Sequence, residues 1–186
     1  MAESVCPWWI GYFLASPLRG LRHNPETILS GHVREGMNVL EPGPGMGFFT
    51  LPMARMVGPS GRVVAVDLQE RMIQGLLRRA ARVGLSDRIE GRVASSSGMG
   101  VGDLVGRLDF ALLFAMVHEV PDQVSFFAEV SAALRSGARV LFAEPLGHVP
   151  EADFRRSLGL AASADLRFDQ RLNIGGCVAA LLTKCR

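Results

Sequence analysis

Cysteine is scarce in this chain. Cys6, Cys177 and Cys185 are the whole complement, odd in number and without a CxxC pair. That spacing suggests neither a zinc site nor a disulfide framework, so no metal is expected. Free thiols fit a reducing, cytoplasmic setting. Charge of one sign is scarce too: 20 Lys and Arg against 18 Asp and Glu leave a formal net charge of +2. Such a balance makes no electrostatic case for nucleic acid or for an anionic membrane. Long hydrophobic runs are missing. The longest, Val5 to Leu18, is too short to span a bilayer and contains Pro7 and Pro17, so no stable membrane insertion is expected. No basic n-region opens the chain, and a secretory leader is not expected. Two phosphate-binding signatures are absent as well. A GxGxxG frame begun at Gly43 puts Phe48 at the third glycine, and no GxxxxGK[ST] occurs.

What is present is an ordinary globular composition, 48% hydrophobic and 20% charged over 186 residues. That is enough for a single domain with a real core. Arg78, Arg79 and Arg82 form the densest basic group, and their helical spacing reads as a solvated helix face. No internal repeat stands out.

Hydrophobic period and breaker residues give an order of elements. Asn24 before Pro25 is a cap and first-position pair for a short helix to about residue 30. Strands are expected at 38–41, 62–66, about 89–94, 108–114 and 138–143. Helices are expected near residue 50 after the glycines, at 69–83, from Pro121 to about 134, and near 151–162. Met72, Ile73, Leu76, Leu77 and Ala80 mark one face of the second of these helices, and Gly84 stops it. Gly137 is expected to end the helix before the fifth strand. Two further strands, about 166–171 and 177–184, close the chain across a short Gly175-Gly176 connection. Parallel pairing needs a longer crossover, so this pair is expected to be antiparallel. Alternating strands and helices, with short continuous apolar strands, predict a doubly wound Rossmann-like α/β sheet, mostly parallel, with helices on both faces. Ligands bind such sheets at the carboxyl ends of the strands.

The stretch Val39-Leu40-Glu41-Pro42-Gly43-Pro44-Gly45-Met46-Gly47 is the most informative. An apolar strand ends in an acid, and three glycines then alternate before an amphipathic segment. Glycine reaches positive φ and lets a ligand approach the backbone, and the following helix N-terminus is expected to present unpaired N–H groups. A carboxylate at the mouth, Glu41, attracts an ammonium and repels a pyrophosphate. Asp67 ends the second strand, 20 residues past Gly47, and can accept bonds from two ribose hydroxyls. Room for a nucleoside, a ribose anchor and a carboxylate suits a nucleoside with a cationic amino-acid tail better than one with phosphates.

Here the chain resembles the class I S-adenosylmethionine-dependent methyltransferases over nearly all of residues 25–186. The glycine stretch is similar to that family's first motif, and Val63-Val64-Ala65-Val66-Asp67 to its second-strand acid. Leu108-Asp109-Phe110-Ala111-Leu112, leading to Met116-Val117-His118-Glu119-Val120, resembles its fourth strand and loop. Arg135-Ser136-Gly137-Ala138-Arg139-Val140-Leu141 resembles the start of its fifth strand. Within the family the tone is nearest to small-molecule enzymes of the ubiquinone/menaquinone-biosynthesis and arsenite types. The resemblance implies S-adenosylmethionine as cofactor, with Glu41, Gly43, Pro44, Gly45, Met46 and Gly47 around its methionine part and Asp67 and Leu68 at the ribose. Ser95 and Phe114 complete the expected cofactor set. The chain departs from the pattern after strand three: the family often has an acid there for the adenine amine, whereas this chain reads Arg92-Val93-Ala94-Ser95-Ser96-Ser97. Ser95, Ser96 or backbone groups take that place, or the loop is merely polar. Arsenite enzymes use several cysteines, which Cys6 does not reproduce.

The candidates for chemistry are His118 and Glu119, leaving strand four where the family meets its acceptor. His118 titrates near neutrality and can take a proton; alternatively it packs or bonds backbone. Glu144 and His148 are second-rank candidates toward the same edge. Trp8, Trp9, Tyr12 and Phe13 are an aromatic cluster within residues 1–35, expected to be a cap or lid over an apolar acceptor, with packing or a dimer patch as competing readings. The expected partner is a small-molecule methyl acceptor, and the chain a monomer or homodimer. Two other functions stay open. One is an NAD(P)-dependent oxidoreductase, against which Phe48 and the acid before the glycines both argue. The other is a non-catalytic cofactor-binding homologue.

Overall fold

A computed structural model describes residues 23–95 and 98–186. The expectations for Cys6, for the Trp8–Phe13 aromatic cluster and for Ser96 lie outside the described residues. The chain divides into two compact units, Met1–Met99 and Gly100–Arg186.

In the first unit, Asn24 accepts hydrogen bonds from the amides of Glu26 and Thr27 and caps α1 (Pro25–Leu29). Strands β1 (Asn38–Pro42), β2 (Arg62–Asp67) and β3 (Ile89–Val93) pair in parallel in the order β3-β2-β1. The apolar runs of β1 and β2 are buried, as strands covered by helices must be, while the edge strand β3 buries only Ile89. Helix α2 (Thr50–Met56) packs on β2, and α3 (Glu70–Arg82) packs on β2 and β3. Helix α3 buries Met72, Ile73, Gly75, Leu76 and Ala80. Leu77, expected on that face, is 37% exposed at the edge of the stripe. The Leu85 amide reaches back to the Ala80 carbonyl and closes the helix end beside Gly84.

The second unit holds β4 (Leu108–Phe114), β5 (Leu134–Pro145), β6 (Leu166–Leu172) and β7 (Cys177–Lys184), in the order β4-β5-β7-β6. β4 and β5 are parallel, whereas β7 runs antiparallel to both β5 and β6. Helices α4 (Gln123–Ala133) and α5 (Glu151–Ser163) pack on each other and on β5 and β6 respectively. Phe127, Phe142 and Phe154 form a buried aromatic row beneath them. β5 begins four residues earlier than its apolar run suggests, directly after α4. Its ladder with β4 jumps from Leu108↔Leu134 to Phe110↔Arg139. Gly137, at φ 76°, absorbs that irregularity rather than ending a helix.

The seven strands make a mixed, mostly parallel, Rossmann-like doubly wound sheet with antiparallel C-terminal strands. Among the described residues no helix is long and apolar enough to cross a membrane.

Candidate functional site

In the first unit the two expected acids stand at the carboxyl ends of adjacent parallel strands. Register pairs Glu41 with Ala65 and Pro42 with Val66, and Asp67 is the next residue of β2. Glu41 is 4% exposed, and its Oε2 accepts from the Thr50 hydroxyl at 2.6 Å. It is therefore not the bare entrance group that the sequence suggests. Its carboxylate is held by the first residue of α2. Asp67 is half-buried, and its Oδ1 accepts the Gln69 amide at 2.9 Å, which fixes the strand end and the start of α3. Leu68 between them is 57% exposed.

The glycine turn is shaped by close packing on one side and space on the other. Gly43, Gly45 and Gly47 all take positive φ, at 68°, 53° and 88°. A Cβ on Gly47 would overlap Cδ1 of Leu76 in α3, while a Cβ on Gly45 would meet nothing within 4 Å. So Gly47 seats the turn on the helix, and Gly45 leaves open space. Two of the turn's amides are used within the protein. Gly43 donates to the Val66 carbonyl at 2.8 Å and Gly47 to the Pro44 carbonyl at 3.0 Å. Helix α2 starts only at Thr50, because Pro52 sits in its first turn, where its missing amide is harmless. The helix N-terminus therefore stands three residues past Gly47.

Met46 and Arg79 have partners that the sequence does not mark. Met46 is buried, and its side chain lies about 3.4 Å from where a Cβ on Gly75 would stand. Its carbonyl accepts from the Arg79 guanidinium. Met46 therefore belongs to the joint between turn and helix, and Arg79 is not simply a solvated face residue. Arg55, Arg79 and Arg82 line an open cleft of about 440 Å³ with Phe48 and Leu51. Neither Glu41 nor Asp67 borders it. Ser95 is exposed and closes a tight turn, exchanging backbone hydrogen bonds with Gly98 at 3.0 and 3.2 Å. The preceding Ala94 amide binds the Asp67 carbonyl at 2.9 Å, so the Ser95 turn hangs from the same strand end as the ribose candidate.

In the second unit, Phe114 is buried at the end of β4, and Ala115 follows at φ 56°. That left-handed residue is uncommon outside glycine and throws the chain into a tight 3-10 turn, Val117–Glu119. The turn is braced from outside. Ser157 of α5 donates to the Gln123 side chain at 2.7 Å, and Gln123 donates to the Val117 carbonyl at 3.1 Å. His118 is held by Glu144 of β5: its backbone amide donates to Oε1 at 3.1 Å, and its Nδ1 lies 2.7 Å from Oε2. Glu144 is 1% exposed. The hydrogen bond to Glu144 is the main cause that raises the His118 pKa above its ordinary value, against the opposing effect of burial. His148 packs edge-on against His118 at 4.8 Å between ring centres. Glu119 is exposed, and its Oε1 is 3.9 Å from Nε2, beyond hydrogen-bond range.

So the structure brings His118, Glu144 and His148 together, and sets Glu119 at their rim. Thr50, Gln123 and Ser157 escaped the sequence reading. Their contacts reach 6 to 34 residues away, and no local pattern marks such partners. Among the described residues no group of His, Cys, Asp and Glu could hold a metal ion.

Residues 33–170 match a family model described as a methyltransferase domain. A ubiquinone/menaquinone biosynthesis C-methyltransferase UbiE of Hahella chejuensis is 31% identical over 118 residues, covering 63% of this chain and 47% of that protein. An arsenite methyltransferase of Halobacterium salinarum is 26% identical over 160 residues, covering 86% of this chain and 37% of that protein. This chain thus spans less than half the length of these relatives. A crystal structure of a SAM-dependent methyltransferase from Aquifex aeolicus superposes with a TM-score of 0.86 at 21% identity, covering 97% of this chain and 100% of the other.

Proposed function

Given that this chain belongs to the methyltransferase domain family, a class of S-adenosylmethionine-dependent transferases, we propose that it carries a methyl group from that cofactor to a small-molecule acceptor. The observation that carries the reading is the pair of carboxylates at neighbouring strand ends, beside a glycine turn with open space at Gly45. That donor set suits a nucleoside with a cationic tail. Glu41 meets the ammonium, Asp67 accepts the two ribose hydroxyls, and the space at Gly45 admits the methionine part. Pro44 is buried and stiffens the turn. Leu68 offers apolar surface beside the ribose anchor, and Ser95 serves the base. Met46 contributes through its backbone alone, since its side chain is packed against Gly75.

The cofactor supplies a methyl carbon already activated by its sulfonium. What the protein adds is orientation, exclusion of water and, where the acceptor must lose a proton, a base. His118 is that candidate, with Glu119 beside it as a weaker one. A formal net charge of +2 makes no strong electrostatic case for a polynucleotide acceptor. The arsenite relative's substrate is not carried over, since Cys177 is buried and Cys185 only partly exposed. We place the protein in the cytoplasm, as a monomer or homodimer.

Calorimetry with S-adenosylhomocysteine, NAD and NADP tests the cofactor. Micromolar S-adenosylhomocysteine binding with no heat from either dinucleotide is expected. Dinucleotide binding in its place would make the oxidoreductase reading the better one. Tight S-adenosylhomocysteine binding with no methyl transfer across broad acceptor panels would favour a non-catalytic homologue.

A further inference from the structure

Glu144 is a buried acid in the second unit, and both its oxygens engage one residue. Oε1 takes the His118 backbone amide at 3.1 Å, and Oε2 lies 2.7 Å from His118 Nδ1. An ionised carboxylate only accepts hydrogen bonds, so Nδ1 must be the nitrogen that carries the proton. The other ring nitrogen, Nε2, then holds a lone pair. The His118 side chain is 19% exposed, and the nearest carboxylate to Nε2 is Glu119 at 3.9 Å. The ring cannot swing freely, because Glu144 grips both backbone and imidazole, His148 lies against one edge, and Gln123 holds the Val117 carbonyl of the same turn. A buried acid behind an imidazole with one nitrogen left available is the arrangement of an oriented base. Ordinary loop anchoring would need only the backbone contact.

From this geometry we propose that Glu144 is a positioning residue that fixes His118 as the Nδ1–H tautomer with Nε2 as general base, and that the acceptor is a weakly acidic hydroxyl, phenolic or enolic, deprotonated as it is methylated. The inference rests on the methyl-transfer reading above. It selects hydroxyls by what a base of this kind helps. An amine attacks with its own lone pair and sheds its proton afterwards. A thiol near pKa 8.5 ionises unaided to a useful extent, and a carboxylic acid is already ionised. A phenol near pKa 10 lies only about three or four units above an imidazole, a gap that a positioned base can bridge within the transition state. Imidazolium formed at that moment is held by Glu144, which narrows the gap further. The groups that face His118 among the described residues are Glu144 from β5, Glu119 from its own turn and His148 from the loop after β5.

The step balances as follows. The acceptor O–H proton passes to Nε2, and the oxygen pair forms the new O–C bond. The pair of the broken C–S bond remains on sulfur as a neutral thioether, and His118 then releases its proton to water. One proton is released for each methyl transferred.

The test uses the full chain. Nitrogen-15 NMR of the His118 ring above its titration should show Nδ1 protonated and Nε2 bare. Turnover with S-adenosylmethionine is measured on catechol, a primary amine and a thiol of similar size. Catechol should be the methylated member, with kcat rising with pH to a plateau. Glu144→Gln keeps an acceptor for the backbone amide but removes the charge. It should lower kcat on catechol at least about tenfold, move the acid limb to lower pH, and leave KM for S-adenosylmethionine within about twofold. The same shift should appear in the NMR titration of the ring. A neutral ring found as Nε2–H, a titration unchanged in Glu144→Gln, or methylation of the amine or thiol with catechol untouched would each overturn the proposal. The tautomer is read on the unaltered protein, so poor folding of the variant leaves the proposal exposed to refutation. S-adenosylhomocysteine calorimetry separates the two levels. A missing tautomer with intact binding defeats this inference alone, while absent binding defeats the methyl-transfer reading.

Discussion

The Thr50 hydroxyl donates to Oε2 of Glu41 across 2.6 Å, and both residues are buried. The bond gives the carboxylate a fixed orientation before any ligand arrives. It also creates two ways of damaging the site that calorimetry can tell apart. Glu41→Gln removes the charge and should weaken S-adenosylhomocysteine binding by about 30-fold or more, the loss expected when one member of a desolvated charge pair is removed. Thr50→Val leaves the charge but takes a hydrogen bond from it. It should lower unfolding free energy by about 1–3 kcal/mol and change affinity by less than about threefold. An affinity unmoved by Glu41→Gln would make the acid a structural partner of Thr50 and nothing more.

Asp67 and Glu41 are assigned to different parts of one ligand, so a truncated ligand should separate them. 5′-Methylthioadenosine keeps the sugar and lacks the amino-acid tail. Asp67→Asn preserves an acceptor for the Gln69 amide and should weaken both ligands by a similar factor, about tenfold. Glu41→Gln should leave 5′-methylthioadenosine binding unchanged while weakening S-adenosylhomocysteine. Equal losses on both ligands in both variants would sink the division of labour.

The two glycines that flank Met46 should respond differently to alanine. Gly47→Ala adds a Cβ that overlaps Leu76 at a φ of 88°, so overpacking and backbone strain combine to about 2–4 kcal/mol of lost stability. Gly45→Ala meets no neighbour within 4 Å and should lose only the strain, about 1–2 kcal/mol. Its larger effect should be on S-adenosylhomocysteine affinity, because the added methyl occupies ligand space. Urea unfolding midpoints and calorimetry on the two variants read these effects directly.

His118 also makes stability depend on pH. Its folded pKa is raised above the ordinary imidazole value of 6.5, so the folded state binds the proton more tightly than the unfolded chain does. The resulting stabilisation is fully present below the unfolded pKa and fades as pH rises through the higher folded one. Comparison with His118→Gln should show the wild-type advantage shrinking as pH rises from the unfolded value through the higher folded one. A constant difference across that range would mean that Glu144 does not hold the ring.

Much of the fold was legible because local signals agreed with one another. β4 and β7 have the bounds expected from their apolar runs, and α3 lies within one residue at each end of its amphipathic pattern. Asn24 caps α1 as its place before Pro25 predicts. The glycine turn and the acids at two strand ends were also readable, since strand ends and breakers are written in adjacent residues. The sequence was silent where distant groups decide. Leu77 was expected on the buried face of α3, and Met46 in the cofactor set. Only packing made one an exposed edge and the other a plug against Gly75. Arg79 looked solvated until the Met46 carbonyl came within its reach.

Period, breakers and capping residues by themselves determined which segments are strands and helices, and they brought Glu41 and Asp67 to strand ends. They also made the last two strands antiparallel, because a two-glycine connection cannot span a crossover. Tertiary structure alone decided that β7 enters the sheet between β5 and β6, that Thr50 holds Glu41, and that Glu144 reaches back 26 residues to hold His118 by ring and backbone. The physical reason is that periodicity and turn chemistry act over a few residues along the chain. The partner of a buried charge is chosen by whichever neighbour can satisfy it once water has been excluded.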